Sequence, residues 1–168
     1  QQPAGRRTLH VTETIRVAQD NTWIEARPSA RPGLHLEYHL NYAGSPAIGT
    51  QSRSVTLDAE TFRNELASSR TFLLATEADQ LHAAGLATRP TTSDVLVFND
   101  DGPIDNPLRF DDECVRHKLL DLVGDLALSG CDLNAHVVAH QTGHHLNAQI
   151  VRVLLTQCGP ATTLRKSA

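Results

Sequence analysis

Residues 133–154 read LNAHVVAHQTGHHLNAQIVRVL, and their pattern changes partway. Leu133, Ala135, Val137 and Ala139 alternate with Asn134, His136, Val138 and His140, the period of two that marks a strand. After Thr142-Gly143 the apolar positions become Leu146, Ile150, Val153 and Leu154, the stripe of an amphipathic helix. The alternation rules against a helical HxxxH pair at His136 and His140. On a strand they share a face ~13 Å apart, at ~3.3 Å per residue, and are expected at the surface. His144 instead sits in the first turn of the helix. The positive end of the helix dipole disfavours imidazolium there, whereas a nearby carboxylate would favour it. A histidine balanced between those influences can donate a proton near neutrality.

Working outward, the same period of two recurs upstream. Leu34, Leu36, Tyr38, Leu40 and Tyr42 alternate with His35, Glu37, His39 and Asn41, a strand with one buried face. LHVTETIRV and WIEARP read as two earlier strands, and Ser54–Leu57 as a short fourth. Asp58 caps a helix carrying Thr61, Phe62, Glu65 and Leu66, which SSRTF breaks. A second helix runs from about Glu77 to Ala84 and stops at Gly85. RPTTSD is a loop, DVLVF a strand and DDGPIDNP a loop of turn formers. A central helix starts at Asp111 or Asp112 and stops at Gly130. Strands followed by helices that pack on them predict an α+β fold. The expected form is a two-layer sandwich of a mixed or antiparallel sheet covered by helices, one domain over residues 1–168.

Composition narrows the function. The chain has 168 residues, 40% of them hydrophobic, enough for one packed core. A formal charge of −4 and scattered Lys and Arg argue against a nucleic-acid binder that relies on a basic field. The three cysteines, Cys114, Cys131 and Cys158, lack CxxC spacing. They read as small core residues in a reducing compartment, expected to be the cytoplasm. No apolar stretch approaches the ~18 residues of a membrane span. The beginning, QQPAGRRTLH, lacks both a signal-peptide core and an initiator Met, so an excised or processed piece is expected.

The central helix contains VRHKLLDLVGDL, residues 115–126. At ~100° per residue, His117, Asp121 and Asp125 fall within ~80° of one another, with Lys118 flanking them. Val115, Leu119, Leu122, Val123 and Leu126 form the opposite, core-facing side. One reading is a solvated face with an i,i+4 His–Asp pair contributing ~0.2–0.5 kcal/mol. The other is a metal site, because a ring nitrogen and a carboxylate one turn apart can meet one ion and zinc accepts both. Spacing alone favours the solvated face. Gly124 moves the balance toward the metal, since an interior helix glycine costs ~1 kcal/mol relative to alanine and often marks a close approach. In SRTF, residues 69–72, the Thr71 hydroxyl could bond its own backbone or donate to a developing oxyanion.

SRTF, FDDECVRHKLLDLVGDLALSG and TGHHLNAQIVRVLL, in that order, resemble the bacterial UDP-3-O-acyl-N-acetylglucosamine deacetylases, zinc amidases of lipid A biosynthesis. The RHKxLDxxGDL core followed closely by GHxLN is the specific part. The early ETIRV…W…P…L…PAI also fits the start of that family's second domain, so the resemblance covers nearly the whole chain but about half of a full enzyme. It implies that His117 and Asp121 are two of three Zn2+ ligands. It implies that His144 is the general acid, Asp125 the carboxylate that orients it, and Thr71 an oxyanion donor. Lys118 and Phe72 would contact the substrate, a UDP-linked acylated N-acetylglucosamine.

The family's third ligand and general base lie in a first domain with an HxxEH pattern, and no Glu-His dipeptide occurs in this chain. The expected partner is therefore that N-terminal domain, in cis or in trans, without which the chain is expected to be inactive. Further departures are Gln141 in place of a family lysine, Asn41 in place of an aspartate, and TRPTTSDVL in place of a glycine-rich loop. These departures leave a second expectation open, a non-catalytic binding or interaction module.

Overall fold

The computed structural model describes residues 7–86 and 94–157. The loop segment 88–93 and Cys158 lie outside the described residues. The chain forms two compact units, Gln1–Glu37 with Ser54–Leu57 and Asp121–Ala168, and Tyr38–Arg53 with Asp58–Leu120. The division passes within three continuous elements: strands β4 (Leu34–Tyr42) and β5 (Gly49–Leu57), and helix α3 (Glu113–Ala127).

The first unit is built on a sheet. Strands β1 (Thr8–His10), β2 (Ile15–Gln19), β3 (Thr22–Arg27) and β8 (Asp132–His140) join Leu34–Glu37 of β4 and Ser54–Leu57 of β5. The order is β2-β3-β8-β4-β5, with β1 also paired to β8. β2 and β8 run antiparallel to β3, and β1 runs parallel to β8, so the sheet is mixed. LHVTETIRV is thus two strands, not one: the chain leaves β8 after His10 and re-enters the sheet beside β3. The sequence obscures this break because polar residues continue the alternation through it.

Alternation puts Ile24 and Ala26 of β3, and Ala135, Val137 and Ala139 of β8, in the core, all with no exposed surface. Helix α4 (His144–Gln157) packs on β2 and β3 and buries Leu146, Ile150 and Leu154. Each such side chain contributes roughly 1.5–3 kcal/mol by leaving water. The opposite face of β3 is polar. There Glu25 accepts from Arg16 and Arg27, and Trp23 stacks on His140 with ring centroids 5.8 Å apart. His136 lies 3.5 Å from Glu37. Both strand histidines are therefore half-buried and partnered, more enclosed than the sequence suggested.

The second unit contains the remainder of β4 and β5, linked by a turn in which Gly49, at φ +63°, returns its N–H to the Ser45 carbonyl at 2.8 Å. β5 begins at Gly49 rather than Ser54, because its first residues are polar and carry no apolar signal. Asp58 caps α1 (Ala59–Thr61) through the Thr61 N–H at 2.7 Å. The helix widens into a π segment at Phe62–Leu66. Strand β6 (Phe72–Leu74), helix α2 (Ala75–Ala83) and strand β7 (Leu96–Phe98) then form a parallel β-α-β unit. The sequence did not reveal β6, since three residues are too few for periodicity. Leu66, Leu96, Phe98, Val115 and Leu119 form this unit's core. Four helices with a mixed sheet and a small parallel sheet, among the described residues, make the fold α+β.

Candidate active site

The second unit supplies four of the seven residues singled out. His117 and Lys118 lie in the middle of α3 and are half-buried. The His117 Nδ1 stands 3.3 Å from the Ser69 carbonyl oxygen. A carbonyl can only accept, so in this contact Nδ1 is the donor. Phe72, buried at the start of β6, sets its ring edge-on to His117 with centroids 6.4 Å apart, and Tyr42 closes the other side at 5.5 Å. Thr71 precedes Phe72 and is exposed, its carbonyl accepting from Leu96 N–H at 2.9 Å. One short loop thus carries a hydroxyl, an aromatic edge and the carbonyl that meets His117 Nδ1.

That loop is tied down by residues the sequence reading did not single out. Glu113, with no exposed surface, accepts from the backbone N–H and the guanidinium of Arg70. Burial by itself would raise the Glu113 carboxyl. The Arg70 guanidinium and the backbone N–H groups of Arg109 and Arg70 outweigh it, and the carboxyl is held below the ordinary glutamate value. The neighbouring Cys114 thiol is pushed up to about 12, first by burial and then by the Glu113 charge. That takes it out of nucleophilic chemistry near neutrality.

The first unit supplies the other three. Asp121 and Asp125 follow on the same unbroken α3, one helical turn apart, and His117 lies one turn before Asp121. His144 opens α4, exposed, and donates from Nδ1 toward both Asp125 oxygens, at 2.9 and 3.1 Å. Asn147, one turn further along α4 and almost fully buried, donates to the same carboxylate at 2.9 Å. Gln141 makes the turn from β8 into α4 at φ +53°. The Asp125 carboxylate is therefore fixed by two donors from α4. It holds His144 through Nδ1 while the rest of that side chain stays exposed. Asn147 is the residue missed here. Its i,i+3 relation to His144 was the available signal.

Imidazole nitrogens and carboxylate oxygens, the donor types of His117 and Asp121, are ones that zinc accepts. Among the described residues, no group of three His, Cys, Asp or Glu side chains gathers as a metal centre. The donors present fit part of a zinc ligand set.

Histidines held by a carboxylate or a backbone carbonyl, and a loop hydroxyl, are side-chain types that hydrolytic enzymes use. Over residues 1–156 the chain matches the family model for UDP-3-O-acyl N-acetylglycosamine deacetylase, LpxC. UDP-3-O-acyl-N-acetylglucosamine deacetylases of Brucella ovis, Brucella canis and Brucella suis are 41% identical to it over 157 residues, covering 92% of this chain and 54% of theirs. The chain belongs to the UDP-3-O-acyl N-acetylglycosamine deacetylase family. It spans about half the length of the curated relatives it matches.

Proposed function

We propose that this chain furnishes part of the active site of a zinc-dependent deacetylase that hydrolyses the acetamide of UDP-3-O-acyl-N-acetylglucosamine in lipid A biosynthesis. The observation that carries the reading is the His144–Asp125 pair, with Asn147 holding the same carboxylate. In this reading His144 protonates the leaving amine nitrogen, while Asp125 keeps its ring oriented and stabilises the imidazolium. His117 and Asp121 would be zinc ligands, His117 through Nε2 because its Nδ1 faces the Ser69 carbonyl. A zinc ion held there supplies Lewis acidity toward the amide carbonyl and toward water. The Thr71 hydroxyl donates to the oxyanion as the carbonyl becomes tetrahedral. Phe72 and Lys118 contact the substrate.

Catalytic zinc usually has three protein ligands and an open position. The third ligand and the base that takes the water's proton would come from an HxxEH-bearing domain outside these 168 residues, and without it the chain is inactive. The site of action is cytoplasmic, in keeping with the free thiols of Cys114 and Cys131. Among the described residues no helix is long and apolar enough to cross a membrane. The test is to join or add the HxxEH-bearing domain of a relative and assay release of acetate from the UDP-sugar. Zinc-dependent turnover is the expected result. A folded, completed protein that releases no acetate would sink the proposal and favour a non-catalytic binding module.

A further inference from the structure

Arg70 and Glu113 form a fork whose geometry is more specific than packing requires. Glu113 Oε1 accepts from the Arg70 backbone N–H at 3.0 Å and from Arg70 Nε at 2.8 Å. Its Oε2 accepts from Arg70 Nη2 at 2.9 Å and from the Arg109 N–H at 2.7 Å. The guanidinium also reaches the Asn106 side chain and, at 2.9 Å, the Pro107 carbonyl. Both members are buried, Glu113 completely and Arg70 to 8% exposure. An ion pair so enclosed adds little net stability over apolar groups of the same shape, but it admits one geometry. What it orients lies on either side of it. Ser69, before Arg70, gives its carbonyl to His117; Thr71 and Phe72, after Arg70, carry the exposed hydroxyl and the edge-on ring. Glu113 and His117 are four residues apart on α3, so clamp and imidazole share one helical face.

We propose that Arg70 and Glu113 are positioning residues that lock the Ser69 carbonyl opposite His117, fixing its Nδ1–H tautomer. This rests on the reading of His117 as a ligand through Nε2, but its central claim concerns the ring itself. The fork sets the height of the loop against α3, and the loop carbonyl selects Nδ1 as the proton-bearing nitrogen.

The experiment is nitrogen-resolved imidazole NMR of the 168-residue chain at about pH 8.5, above the ordinary imidazole range. Parent His117 should hold the Nδ1–H form. Glu113→Gln should move it toward the Nε2–H form that an unconstrained imidazole prefers. Arg70→Lys keeps the charge and the backbone N–H but loses the fork, and should move it the same way by less. Ile150→Val, which removes a methyl group from the other unit's core, should leave the tautomer as in the parent. A folded Glu113→Gln with the parent tautomer overturns the proposal. If that variant does not fold, a folded Arg70→Lys with the parent tautomer overturns it equally, as does an Ile150→Val shift of the same size. In the completed enzyme the two clamp variants should lower kcat about 10–100-fold with KM little changed. Absence of turnover in the completed parent would refute the functional reading and leave the tautomer result standing.

Discussion

Glu113 keeps a carboxylate charge where water does not reach it, because Arg70 and two backbone N–H groups replace that water. Its carboxyl is held below the ordinary glutamate value in the folded chain. It therefore stabilises the fold at neutral pH, fully so above the unfolded value, and that contribution is lost as pH falls through the folded value. Glu25 behaves alike in the other unit. There the Arg27 hydrogen bond leads, burial opposes it and Arg16 adds to the lowering. Urea midpoints should accordingly fall as pH is taken from neutral into the acid range. Glu113→Gln should lose about 3–5 kcal/mol at neutral pH and show a flatter acid limb, because one of the linked protons is gone. A Glu113→Gln limb as steep as the parent's would contradict this. For the proposed reaction, His144→Ala in the completed enzyme should lower kcat about 10²–10⁴-fold with little effect on KM. A change in KM alone would make His144 a binding group.

On the scale of the element, Gly124 offers a clean separation of stability from function. It lies in the middle of α3, exposed, and a Cβ built there meets nothing within 4 Å. Nothing in the fold needs the glycine, and alanine is the better helix former. Gly124→Ala should raise stability by up to about 1 kcal/mol, read as a higher thermal midpoint. If the open space beside Asp121 and Asp125 admits substrate, the same variant should raise KM in the completed enzyme; unchanged KM with a raised midpoint would leave the space without a substrate role. Gly130, just past the end of α3, is the opposite case. Its φ of +65° is strained for any L side chain although the space around it is open. Gly130→Ala should therefore destabilise by roughly 1 kcal/mol or more. Both glycines stop or thin a helix in the sequence. The backbone angle, and not the residue type, tells them apart.

For the molecule as a whole, the proposal makes metal binding depend on completion. The 168 residues alone should bind zinc weakly by titration calorimetry, since two ligands are fewer than the three of a catalytic site. Joined to an HxxEH domain, the protein should bind it tightly and lose turnover to a chelator, with recovery on adding zinc back. Tight, stoichiometric zinc in the isolated chain would mean that ligands within it complete the site, against the proposal. The sequence by itself determined those long elements in which apolar residues mark one face throughout, whereas the polar first half of β5 escaped it. β4, β8, α3 and α4 each run nine residues or more, and a core on one side imposes a period that side chains cannot hide. The motif spacing on α3 and the start of α4 also placed His117, Asp121, Asp125 and His144, because helical spacing is local. Tertiary structure decided what locality cannot encode. It divided LHVTETIRV between two strand partners, made β6 from three residues, and brought Asn147 to Asp125 and Ser69 to His117. Above all it paired Arg70 with Glu113, 43 positions away. A buried charge reveals itself only when its partner is in place, because only the folded chain removes the water that would otherwise solvate it.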